Sequence, residues 1–224
     1  MPTQRRCKTH LPVRAYDRLV ANGSLIRPRS AALAGMVGPV LFAGGLVTLT
    51  TLQYDFLLLI GWEPLKDPSG AWPSGLSLGP YGWIQDLNFA LSGALLATFA
   101  VGLHRGIRGG SKAGPALLFV AGLAMALLAF ETDPIKHTGP RTLHGWVHDA
   151  SFVLFVLAFT LALFLLWRRM LDDCLWRGHA RYTLVTAVLA VVLLFLPGVA
   201  YYLFLVVVLI WFGATAIKLR RVTR

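Results

Sequence analysis

The chain is poor in charge, in acidic residues and in cysteine. Only 14% of its 224 residues are charged, against about a quarter in a typical soluble domain, which argues against a surface that faces water all round. The two cysteines, Cys7 and Cys174, form no CxxC pair and fall in segments read here as cytoplasmic. They are expected to be reduced thiols, which speaks against a thiol oxidoreductase. No phosphate-binding loop, nucleophile elbow, internal repeat or low-complexity tract is visible. No cleavable signal is expected either, because about thirty residues precede the first apolar run and that run is too long for a signal core.

What is present is apolar length. Hydrophobic residues make up 56% of the chain, and runs of about 20 residues, enough to cross the hydrocarbon as helix, recur along it. They read as spans over 31–53, 81–104, 114–133, 146–167, 183–197 and 199–217, the last two joined at Pro197-Gly198. The predicted fold is an all-α integral membrane protein, a six-transmembrane-helix bundle over 31–217. A basic segment 1–30, a long outer loop 54–80 and a basic tail 218–224 complete it. Within the first segment Leu11, Val13, Tyr16 and Leu19 share a helical face, as in an interfacial helix; a solvated basic tail is the competing reading. In the outer loop the apolar run Phe56–Trp62 is too short to span and is expected to dip into the outer interface or to cover the helix mouths.

The net charge of +11 would point to nucleic acid in a soluble protein. Here it follows from topology. With both termini in the cytoplasm, 18 of the 21 basic residues lie inside, leaving only Lys66, Lys136 and Arg141 outside. This is the bias expected at a plasma membrane. Membrane lipids, not nucleic acid, are the expected partners. A five-span model would move Lys218, Arg220, Arg221 and Arg224 outside and spoil the alternation.

Seven of the ten acidic residues fall on the other side: Asp55, Glu63, Asp67, Asp86, Glu131, Asp133 and Asp149. Counting 20 residues from the inner ends brings Gln85, Asp133 and His148, from three different spans, to one depth at the outer boundary. Polar groups there should face one another or a water-filled mouth. The strongest local pattern is His144-Gly-Trp-Val-His148-Asp149. Histidines at i and i+4 share a helix face and suit one divalent metal such as zinc. Asp133 or Glu131 would supply a third ligand, and Asp149 would orient a histidine or serve as catalytic base. On the second span Gln85, Asn88 and Ser92 form a polar stripe with Asp86 beside it. The structural alternative is a helix-capping histidine and a polar stripe that glues helices together. Gly35, Gly38, Gly44 and Gly45 read as close packing in the first span. Bis-histidine haem and transport fare worse: the paired histidines lie on one helix, and neither inverted repeats nor a broken helix is evident.

Two stretches carry a family resemblance. Residues 72–89, Trp-Pro-Ser-Gly-Leu-Ser-Leu-Gly-Pro-Tyr-Gly-Trp-Ile-Gln-Asp-Leu-Asn-Phe, form the first. Phe130-Glu-Thr-Asp133-Pro134 with Thr142-Leu-His144-Gly-Trp-Val-His148-Asp149 forms the second. Over roughly 31–217 the chain resembles the bacterial and archaeal membrane family known as domain of unknown function 998. The resemblance implies a six-helix membrane fold and brings no established activity. Its signature positions are Gln85, Asn88, Asp133, Pro134, His144, His148 and Asp149, while Asp86 departs from the pattern. A looser likeness, the HxxxH on a membrane helix, links the chain to membrane hydrolases of the alkaline-ceramidase and adiponectin-receptor type. Those have seven helices, and this chain lacks their distant third histidine.

Two functional expectations follow. One is an outward-facing metal site acting on a lipid or amphiphile by hydrolysis, with His144, His148 and Asp133 as ligands and Asp149 as base. The other is a non-catalytic lipid- or partner-binding protein whose polar cluster is structural. Convergence of the imidazoles with a carboxylate supports the first; a His148 bond to a loop carbonyl supports the second.

Overall fold

In a computed structural model of the chain, residues 27–66, 73–134, 139–196 and 199–223 are described. Cys7, the stretch 11–19, Asp67, Lys136, His137 and the Pro197-Gly198 turn lie outside them. All described secondary structure is helical: α1 (Pro28–Leu52), α2 (Tyr54–Leu59), a 3-10 turn (Pro73–Leu78), α3 (Gly82–Gly106), α4 (Ala113–Leu127), α5 (Leu143–Asp172), α6 (Arg177–Leu194) and α7 (Val199–Val222). Five of these, all but α2 and α4, are long and apolar enough to cross a membrane. α4 is equally apolar but has 15 residues. Every long helix turns large apolar side chains outward, Val40, Trp83, Leu157 and Ile210 each exposing more than half their surface. Apolar residues exposed over the whole periphery belong in lipid.

The long helices and α4 close a ring. α1 packs on α3, α3 on α4, α4 on α5, α5 on α6, α6 on α7, and α7 returns to α1. Small residues set the spacing. A Cβ on Gly93 would come within 2.3 Å of the Ala126 backbone nitrogen, and one on Gly122 within 2.5 Å of that of Ala97, so α3 and α4 touch backbone to backbone. Gly35 seats Phe99 and Ala216, Gly38 lies against Phe212, and Gly45 lies against Asn88. Gly44 has open space around it and plays no part in packing.

The ring has two chemically distinct ends. At the basic end the start of α1 meets the ends of α3 and α7, where Gly102 faces Ala31 and Leu219. There Arg169 of α5, 5% exposed, donates from Nη1 to the Ser111 carbonyl and from Nη2 to those of His104 and Ile107. Asp173 accepts from the Arg108 and Leu175 amides, and Trp176 Nε1 donates to the Gly106 carbonyl. These residues clamp the α3–α4 loop, whose Gly110 runs at φ +62° against Arg169. Cys174, also at this end, is disulfide-bonded, which corrects the expectation of a reduced thiol.

At the acidic end α2 and the 3-10 turn form a small roof. Leu49, Leu57, Trp62 and Leu76 make a second apolar core there. This matches the expected covering of the helix mouths by the apolar run. The roof is fastened by Gln53, 3% exposed, whose Nε2 donates to the Leu76 carbonyl at 2.8 Å.

Span boundaries differ from expectation where helix ends change character. α4 stops at Leu127 instead of 133, because the amides of Leu128, Ala129 and Phe130 bond three residues back and the helix tightens into turns. α5 begins at Leu143, not 146, because Thr142 caps it, its side chain accepting from the Gly145 amide.

Candidate functional site

The α5 cap organises the second signature stretch. Asp133 accepts from the Thr142 hydroxyl at 2.6 Å and from the Thr142 amide at 3.2 Å. Gly145 is required beneath it, since a Cβ there would lie 2.3 Å from Asp133 Oδ2. One turn further on, His148 is 5% exposed, and its Nδ1 lies 2.8 Å from the Phe130 carbonyl and 3.1 Å from that of Leu128. These are carbonyls that the tightened end of α4 leaves without helical partners. Nδ1–H is therefore the donor to both carbonyls. The ring edge also meets Phe89 of α3, with centroids 6.3 Å apart. His144 stands apart: it is exposed and makes an edge contact with the Phe130 ring. Asp149 pairs with Arg141 near the surface.

Asp133, His148 and Asp149 are thus occupied as caps and pairs, while His144 stands exposed. Among the described residues no three His, Cys, Asp or Glu side chains stand close enough to hold a metal ion. A zinc site needs at least three protein ligands. The residues do not fit one: Asp133 is committed to Thr142, Asp149 to Arg141, and the two histidines face different surroundings. No chemical step through a metal follows.

The α3 stripe is a hydrogen-bonded ladder. Asn88 Nδ2 donates to the Phe42 carbonyl of α1 and to Gln85 Oε1, each at 3.3 Å, and Ser92 Oγ donates to Asn88 Oδ1 at 3.3 Å. This is helix-to-helix glue of the expected kind. Above it the ladder is incomplete. Gln85 is fully buried, yet its Nε2 finds no acceptor, and the buried atoms Ser77 Oγ and Asp86 Oδ1 also lack partners. The Ser77 hydroxyl lies within reach of the Asp86 carboxylate, and Glu131 and His148 are the ionisable groups near enough to act on Asp86.

A cavity lies in the acidic half of the ring. Its volume is about 70 Å³, and it is partly open to the outside. Seven of the chain's thirteen phenylalanines line it: Phe42, Phe89, Phe152, Phe155, Phe159, Phe204 and Phe212. Leu96, Met125, Val208 and Leu209 complete the apolar wall, and Pro73 and Ser74 of the 3-10 turn roof it. Besides Ser74, only Ser92 and His148 bring polar side chains. α6 contributes none of the lining.

Residue-type reasoning missed several of these parts. Phe152, Phe155 and Phe159 recur at i, i+3 and i+7 on α5, a stripe visible in the sequence but indistinguishable there from a lipid-facing one. Arg169 belongs to the basic residues counted as cytoplasmic, and it is buried. His179, also expected there, is partly buried with Nε2 2.9 Å from Thr215 Oγ1, beside a Thr183–Trp211 hydrogen bond linking α6 to α7.

A family model described as "Protein of unknown function (DUF998)" matches residues 42–219, most of the ring. No curated protein and no solved structure matches the chain.

Proposed function

The chain belongs to the DUF998 family of membrane proteins, and for it we propose a non-catalytic role: holding the apolar chain of a lipid or amphiphile inside the helix ring. The cavity carries this reading. Apolar walls with a few polar groups are the usual lining of a small-molecule site, and walls of phenylalanine suit a hydrocarbon chain. The polar cluster at its mouth is structural at Asp133, His148 and Asn88. The test is lipid analysis of the purified protein. Wild type is expected to retain an amphiphile near one per chain, and Val208→Trp, which fills the cavity, is expected to lose it while still folding. A wild type that retains none, or a Val208→Trp variant that retains as much, overturns the reading.

The same reading places six crossings in the plasma membrane, with α4 as the short one and both termini in the cytoplasm. The support is charge: the described basic residues outside the Lys66 and Arg141 pairs all sit at one end of the ring. A disulfide at Cys174 belongs to an oxidising compartment and pulls the other way. A periplasm-active reporter fused to the C-terminus decides between them. Silence places the basic end inside, and activity reverses the orientation.

A further inference from the structure

The size of the cavity limits what enters it. A chain carbon with its hydrogens takes up about as much room as a water in the liquid, about 30 Å³. The cavity's volume of about 70 Å³ therefore holds about two or three such groups. The rest of a longer chain must lie in the opening or outside. A ring needs more space, since an apolar cavity of about 150 Å³ is of the size that takes benzene. A chain looped in by its middle must double back, which also takes more room than this. A chain inserted by its methyl end need not.

The lining sets the chemistry of the part inside. Ser92 and His148 are 2% and 5% exposed and already turned to partners in the fold. Ser92 Oγ donates to Asn88 Oδ1, and His148 Nδ1 donates to the Phe130 and Leu128 carbonyls. A head group drawn between them would give up its water for little in return. Ser74, the third polar residue of the wall, stands on the roof. Toward the basic end the ring is filled. Phe159 meets Trp211 edge-on with centroids 5.8 Å apart, and Phe212 lies against Phe99 at 4.9 Å. Depth agrees with a chain that ends here. Along α5 the lining runs from His148 to Phe159, about 16 Å of helix rise, and one leaflet's share of the hydrocarbon is about 15 Å. A lipid whose head stays at the acidic surface has its chain end at the level of the lower wall.

We propose that the cavity takes the methyl end of a bilayer lipid's open hydrocarbon chain while the head group stays outside, so that the site reads the chain and not the head. This rests on the chain-binding reading above and adds which part of the chain enters. The test uses the full-length protein in phosphatidylcholine vesicles and two photoreactive probes, palmitic acid with a diazirine next to its methyl end and palmitic acid with a diazirine at mid-chain. Adducts are located by peptide mass spectrometry. α5 supplies its own reference, because Phe152 and Phe155 line the cavity while Val153 and Leu157 are more than half exposed. In wild type the ratio of inner to outer adducts is expected to be severalfold higher for the end-labelled probe. Val208→Trp, which fills the cavity, is expected to bring the two probes level. A wild-type ratio that is equal for the two probes, or higher for the mid-chain probe, overturns insertion by the methyl end and leaves the chain site standing. That comparison decides even where the variant fails to fold. A high end-probe ratio that persists in folded Val208→Trp overturns this cavity as the place where the chain ends. Absence of adducts on Phe152 and Phe155 with both probes overturns both readings.

Discussion

The two ends of the ring solve the same problem differently. Each must satisfy polar groups where helices start and stop, at the edge of a region that offers no water. At the basic end the answer is closed: Arg169, Asp173 and Trp176 reach across to the α3–α4 loop, and each finds backbone partners. At the acidic end His148, Asp133 and Gln53 do comparable work for α4, α5 and the roof. Yet Gln85, Asp86 and Ser77 each keep a buried atom without a hydrogen bond there, and an apolar cavity lies in the same half of the ring. Buried polar atoms are rarely left unpaired without cause. One end is built to stay shut, and the other is built to receive something.

That contrast can be broken by substitution. The largest effect is expected from Arg169→Met, which strands three carbonyls at the closed end. A loss of about 3 kcal/mol or more, read as a lower thermal midpoint in detergent, would match the clamp, and an unshifted midpoint would remove it. His148→Ala should cost about 2 kcal/mol by orphaning the Phe130 and Leu128 carbonyls. Because the role is donation and not metal ligation, His148→Asn should recover part of the loss, and zinc should leave the midpoint of wild type unmoved. Asp133→Ala removes one support of the α5 cap and is expected to cost about 1 kcal/mol. Gln85→Leu removes the Oε1 acceptor of Asn88 together with an Nε2 that has no acceptor, so the two partly offset and a loss of about 1 kcal/mol or less is expected; a loss as large as that of His148→Ala would mean that Gln85 is as firmly tied as the residues of the closed end. The smallest effect belongs to Asp149→Ala at the exposed pair with Arg141, at about 0.5 kcal/mol or less.

The helices were readable from the sequence because hydropathy reports burial in lipid and in protein alike. That same indifference hid the cavity. Phe152 and Phe155 line an internal space while Val153, Leu154 and Leu157 on the same helix face outward, and no local pattern separates a face that meets lipid from one that meets a void. The depth count grouped Gln85 with His148, and in the structure Asp86, next to Gln85, is near enough to His148 to feel its charge. It could not foresee that His148 and His144 part company. Their spacing places them on one helix face, but His144 stands in the first turn of α5, at the rim, while His148 reaches the carbonyls that α4 frees by tightening after Leu127. That outcome depends on how a different helix ends. Arg169 was missed for a related reason: a basic residue near the end of a span reads as solvated unless the loop it will clamp is known.

The brevity of α4 has a consequence of its own. Its 15 residues rise about 22 Å, against a hydrocarbon layer of about 30 Å. α4 is not wholly shielded by its neighbours, for Phe119, Leu123 and Leu127 are exposed along one strip. Lipid that touches this strip meets a hydrophobic mismatch, which bilayers relieve by thinning locally. Beside α4 the leaflet is therefore expected to dimple and draw head groups inward, next to the helix whose Met125 and Leu128 form part of the cavity wall. A lipid there starts closer to the level of Gln85 and His148 than one elsewhere around the ring, so the membrane's own shape would help to load the site.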